Sequence, residues 1–127
     1  MRNWHIIVVT TLGLLMIGCA ADRAYDGPGR PRNEVAIFIG MNPVDPLIPK
    51  GWASLIKKVD GSPVQGSGAK VEVLAGKREL EIYCSRPGGA PSTQKVTVEV
   101  EAGGEYGIGV KPVTNECQIN DRRLRGK

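Results

Sequence analysis

The stretch Lys70-Val71-Glu72-Val73-Leu74-Ala75-Gly76-Lys77-Arg78-Glu79-Leu80-Glu81-Ile82-Tyr83-Cys84-Ser85 alternates apolar and polar residues on both sides of a Gly-containing break. Successive side chains of a strand point to opposite faces. Leu80, Ile82 and Cys84 therefore share one face, and Glu79, Glu81 and Tyr83 the other. Ala75-Gly76-Lys77 reads as the turn between two strands.

The same grammar extends outward. Val35-Ala36-Ile37-Phe38-Ile39-Gly40-Met41 is a β-rich run, stopped by Asn42-Pro43-Val44-Asp45-Pro46, where two prolines forbid a continuing central strand. Residues 53–59 form another run, ended by the turn signal Asp60-Gly61. After a Gly/Pro/Ser loop over residues 86–94, Val96, Val98 and Val100 alternate with Thr97, Glu99 and Glu101. Ala102-Gly103-Gly104 turns into residues 105–111, where Tyr106, Ile108 and Val110 alternate with Gly107 and Gly109. A last run, residues 116–120, puts Cys117 and Ile119 on one face. No segment has helical periodicity. About seven short strands at spacings of roughly 8–12 residues predict an all-β fold, a small antiparallel β-sandwich of immunoglobulin-like or transthyretin-like character.

The N-terminus has another logic. Met1-Arg2-Asn3-Trp4-His5 carries one fixed positive charge and is followed by an uncharged apolar run over residues 6–17, the layout of an export signal. Spanning a bilayer takes roughly 20 apolar residues, more than this run supplies. Met16-Ile17-Gly18-Cys19 resembles the lipobox of bacterial lipoproteins, with Met16 where leucine is usual. Cleavage after Ala20 or Ala21 by an ordinary signal peptidase is the alternative. The resemblance implies that residues 1–18 are removed, that Cys19 becomes acylated, and that the protein is held at a membrane by several acyl chains. Ala20 in place of the aspartate of the inner-membrane retention rule points to the outer membrane, facing the periplasm. Residues 19–33, rich in Gly and Pro and poor in apolar residues, read as a lipidated flexible tether with a reach of roughly 20 Å. Residues 34–120 form the domain and residues 121–127 a basic tail.

Of the 127 residues, 109 remain after residue 18, enough for one small domain. Arg2 leaves with the signal, so sixteen Lys and Arg face thirteen acidic residues, a net +3. Scattered charges and an exported address speak against a nucleic-acid partner. Cys84 and Cys117 remain as an even pair in an oxidising compartment, lacking C-x-x-C spacing and, once His5 is gone, any histidine. A disulfide is expected rather than a zinc site. No cofactor is expected.

Loss of His5 also removes His-dependent triads. Gly66-Ser67-Gly68 and Pro87-Gly88-Gly89-Ala90-Pro91 lack a following helix and P-loop lysine and read as loops. Lys50 and Trp52 place a cation and an aromatic together, either as a partner contact or with Trp52 plugging the core. Arg122, Arg123 and Arg125 in the tail either meet anionic surfaces or fray. If Cys84 lies opposite Val96 in a simple hairpin, Glu81 faces Glu99 and Glu79 faces Glu101, which destabilises the pair. The strands are then offset or not adjacent, or cations of a third strand intervene, or a divalent ion binds.

Val59-Asp60-Gly61-Ser62-Pro63-Val64 followed by Val71-Glu72-Val73-Leu74-Ala75-Gly76-Lys77-Arg78-Glu79-Leu80-Glu81-Ile82 resembles the turn and strand pattern of PEGA domains. The continuation Val98-Glu99-Val100-Glu101-Ala102-Gly103-Gly104-Glu105-Tyr106 is similar to a segment of small bacterial lipoproteins. The resemblance implies a surface or periplasmic module without catalytic residues. The expectation is a non-enzymatic envelope lipoprotein, a binding or structural accessory module meeting an envelope protein or cell-wall partner. The alternative is a periplasmic carrier of a small apolar or lipidic ligand between the sheets. An enzyme would need a cleft around Glu79, Glu81, Glu99 or Glu101.

Overall fold

A computed structural model describes residues 21–114 and 116–121. The signal segment, Cys19 and tail residues 122–127 lie outside the described residues. The fold is all-β, with β1 (Asp22–Arg23), β2 (Val35–Ile39), β3 (Ala53–Val59), β4 (Ser62–Pro63), β5 (Lys70–Leu74), β6 (Gly76–Ser85), β7 (Ser92–Val100), β8 (Glu105–Val110) and β9 (Cys117–Asp121). Seven have five residues or more, and β1 and β4 have two. Among the described residues no helix is long and apolar enough to cross a membrane.

The strands form two sheets, β1-β5-β2-β8-β9 and β4-β3-β6-β7. The faces expected from alternation meet between them. Phe38, Val71, Val73, Leu80, Ile82 and Cys84 are fully buried, with Val96, Val98, Val110, Cys117 and Ile119 packed against the cluster. Phe38 and Tyr106, paired across β2 and β8, stack with ring centroids 5.3 Å apart.

Pairing departs from the antiparallel expectation in two places. β2 runs parallel to β8, and β1 parallel to β5. The reason is that Ala75 and residues 101–104 do not fold their flanking strands onto each other. Each passes the chain to the opposite sheet, so strands adjacent in sequence become partners across the core.

The β6–β7 hairpin is offset from the simple register. Cys84 lies opposite Ser92, which puts Glu81 opposite Lys95, Lys77 opposite Glu99 and Glu79 opposite Thr97. β7 starts at Ser92 within the segment read as loop, and the offset replaces two like-charge pairs with two opposite-charge ones. Opposite charges at facing positions of neighbouring strands contribute roughly 0.2–1 kcal/mol each, so the charge pattern favours the observed register. A bulge at Lys57 in β3 lets Ile56 and Val59, three apart in sequence, both enter the core.

Two features bind the sheets at one end. The disulfide Cys84–Cys117, with Cα atoms 5.8 Å apart, joins β6 of one sheet to β9 of the other. Ser54, fully buried on β3, accepts from the Met41 N–H at 2.8 Å and donates to the Ile108 carbonyl at 2.8 Å. A Cβ at Gly40 would collide with the Ser54 carbonyl oxygen, so glycine there permits the crossover.

The expected tether has a different arrangement over most of its length. β1 pairs with β5, the Asp22 carboxylate accepts from Gly68 N–H at 3.0 Å, and the Tyr25 hydroxyl donates to Glu72 at 3.1 Å. Arg32 donates to the Val35 and Gly104 carbonyls, and Arg30 N–H to the Tyr25 hydroxyl. A Gly/Pro-rich segment with few apolar groups is held here by backbone and side-chain hydrogen bonds, which composition does not reveal.

At the Asp60-Gly61 turn, Asp60 takes a positive φ of 50°. Its carboxylate accepts from Glu79 N–H and meets the Arg78 guanidinium, both at 2.9 Å. These hold the carboxyl below its ordinary value, the backbone hydrogen bond most and Arg78 next. The stabilisation is present above the ordinary value of 3.8 and is lost as pH falls through the lowered one. Acid titration followed by circular dichroism should show Asp60→Asn, which keeps the turn geometry, less acid-sensitive than wild type below about pH 4. The Cys84–Cys117 bridge spans a sequence separation of 33; closing a loop of that length stabilises by about 3–4 kcal/mol, and the paired Cys84→Ala, Cys117→Ala variant should lose that much in urea denaturation. Free thiols at Cys84 and Cys117 in freshly purified wild type would contradict the bridge.

Candidate functional site

β8 has two unlike faces. Tyr106 and Ile108 are buried in the core, while Gly107 and Gly109 face outward. Register sets their neighbours: Gly107 lies between Ile39 of β2 and Asn120 of β9, and Gly109 lies opposite Gln118. With no side chains along its middle strand, the outer face sinks into an open trough of about 710 Å³. Ile39 and Met41 form one wall, Gln118 and Asn120 the other, and Glu105 lies along it. Glycine within a strand commonly marks the close approach of another chain or ligand. A Cβ built on Gly109 meets nothing within 4 Å, so neighbouring packing does not demand glycine there.

The walls differ chemically. Gln118 Nε2 donates to Asn120 Oδ1 at 3.2 Å, which orients the two amides as a pair. Gln118 Oε1 and the Asn120 amide protons supply acceptor and donors for a polar chain. Ile39 and Met41 supply apolar contact opposite. Among the described residues, Glu105 is the one ionisable residue in the lining. The arrangement suits hydrogen-bonded recognition of an extended chain and contains no paired nucleophile and base.

No family model, curated protein or solved structure matches this chain. The PEGA-like resemblance therefore rests on its turn and strand motifs.

The residues singled out from sequence are dispersed. Lys50 is exposed in the loop between β2 and β3, and Trp52 at its end is half-buried and outside the core cluster, against a core-plugging role. Arg122, Arg123 and Arg125 lie outside the described residues, as does Cys19. Glu79, Glu81, Glu99 and Glu101 do not converge, and among the described residues no group of three or more acidic, His or Cys side chains could hold a metal ion. Lys57 reaches over the Tyr83 ring, 5.8 Å from its centroid. The trough residues were not singled out from sequence. Their signal was the pair of glycines opposite Tyr106 and Ile108, but what flanks those glycines depends on pairing.

Gly109→Val should fill the trough while changing stability by no more than about 1 kcal/mol, since a β-branched residue suits a strand. Thermal unfolding of the variant beside wild type checks this.

Proposed function

We propose that this chain is a lipid-anchored, non-catalytic module of the bacterial cell envelope, which holds an extended peptide or glycan strand of an envelope protein or the cell wall in the Gly107–Gly109 trough. The observation that carries the reading is the trough itself, with one amide-lined and one apolar wall. A polymer with hydroxyls or amides along one side and an apolar face on the other matches both. The anchor is acylated Cys19, and the compartment is the periplasmic side of the outer membrane. The architecture is proposed as a sandwich of immunoglobulin-like or transthyretin-like kind.

The filled core favours this reading over a carrier. Phe38, Ile56, Leu80 and Ile82 occupy the space between the sheets where a lipidic ligand would have to sit. Glu79 and Glu81 on β6 face Thr97 and Lys95, Glu99 on β7 faces Lys77, and Glu101 lies beyond the end of β7, a spread that likewise favours binding over acid–base chemistry.

Labelled palmitate should enter wild-type protein, and Cys19→Ser should move it from the membrane to the soluble fraction. A photo-crosslinking amino acid at Gln118 should give one discrete adduct in cells. Recovery of only random abundant envelope proteins would refute the trough as a binding site.

A further inference from the structure

We propose that one end of the domain rests directly on the phospholipid surface, with Val44, Leu47 and Val113 inserted among the headgroups; this rests on the reading that Cys19 is acylated. These three are the large apolar side chains most exposed among the described residues, at 82%, 87% and 84%. Val44 and Leu47 lie in the loop between β2 and β3, and Val113 in the β8–β9 hairpin.

Topology gathers them at one end. β2 and β8 are parallel neighbours with Ile39 beside Gly107, so the loops that follow both strands emerge on the same side. β1 reaches that side too. Asp22 lies beside Val71, and Val71 beside Phe38, with β5 antiparallel to β2. The chain therefore enters β1 from the end where β2 and β8 finish. Across the sheet, β1 and β8 are three strand spacings apart, about 14 Å.

The length of chain ahead of β1 then decides what covers this end. Two residues, Ala20 and Ala21, separate Cys19 from Asp22, a span of three Cα–Cα steps or at most about 10 Å. An acylated Cys19 would hold the β1 end at the headgroup layer, too short a leash for the domain to stand clear. The surface brought down is the one carrying the three exposed apolar side chains.

The loop is built to present them. The Asn42 side chain accepts from Val44 N–H at 3.1 Å and the Asp45 side chain from Leu47 N–H at 2.9 Å, fixing two consecutive turns. Lys50 on the same loop is exposed, and Lys111 at the hairpin base pairs with Glu116 at 3.4 Å. Charges of both signs lie near the loops, so apolar insertion and not net positive charge is the source of contact.

The test uses the lipidated mature protein in vesicles of phosphatidylethanolamine and phosphatidylglycerol. An environment-sensitive nitrobenzoxadiazole label is placed through Leu47→Cys, Val113→Cys or, as the control at the opposite end, Ala102→Cys. With Cys19 acylated and Cys84 bonded to Cys117, the introduced thiol is the one that reacts. Labels at 47 and 113 should brighten severalfold, shift to the blue and resist iodide quenching, while the label at 102 stays quenchable. Trp52, the single tryptophan left after signal removal, should be quenched by brominated lipid without any substitution. Equal iodide access at 47, 113 and 102 in protein whose mass shows acylated Cys19 would overturn the docking and leave the anchor standing. A mass without acyl chains would overturn both. Protection that needs added envelope protein, and not lipid alone, would overturn the docking in favour of a protein partner.

Discussion

Strand β9 has a single neighbour in its sheet, β8, and an edge strand held on one side is the part of a sheet most prone to fray. The bond from Cys117 to Cys84 gives it a second hold, onto β6 across the core. Much depends on that bond. β9 carries Gln118 and Asn120, which wall the trough, and its first residue closes the hairpin that bears Val113. A single covalent link thus fixes one wall of the trough on one face and one of the exposed apolar loops at the end.

The buried Ser54 hydroxyl acts beside it. By linking Met41 N–H and the Ile108 carbonyl it joins the place where the chain crosses between sheets to the strand beneath the trough. A buried hydroxyl with both roles satisfied contributes more to geometry than to net stability, since most of its hydrogen-bond energy replaces bonds to water. Gly40 serves the same junction by permitting close backbone approach. The outward-facing end of β8 is thereby held from three sides: by the disulfide through β9, by Ser54, and by the stacked Phe38 and Tyr106 rings.

The two proposed surfaces are arranged for simultaneous use. The trough lies on the outer face of the five-stranded sheet, and the apolar loops project from its end. A membrane contact through the loops would leave the trough open at the side, close to the bilayer. β9 runs away from that end, with Cys117 beside Val110 and Asp121 beside Tyr106.

Alternation by itself located the seven longer strands and the core face of most of them, because a strand exposes its two faces by turns whatever its partners. Leu80, Ile82 and Cys84 were legible in this way, and so was the pairing of Cys84 with Cys117 once Cys19 and the lone histidine were assigned elsewhere. Only the tertiary structure decided which sheet each strand joins, because a turn such as Ala75 can close a hairpin or cross the core with the same residues. It alone decided the offset of β6 on β7, since sliding a pair by an even number of residues leaves every side chain on its own face. The trough was hidden for the same reason: Gly107 and Gly109 mark a gap, but what borders a gap is set by contacts between segments far apart in sequence.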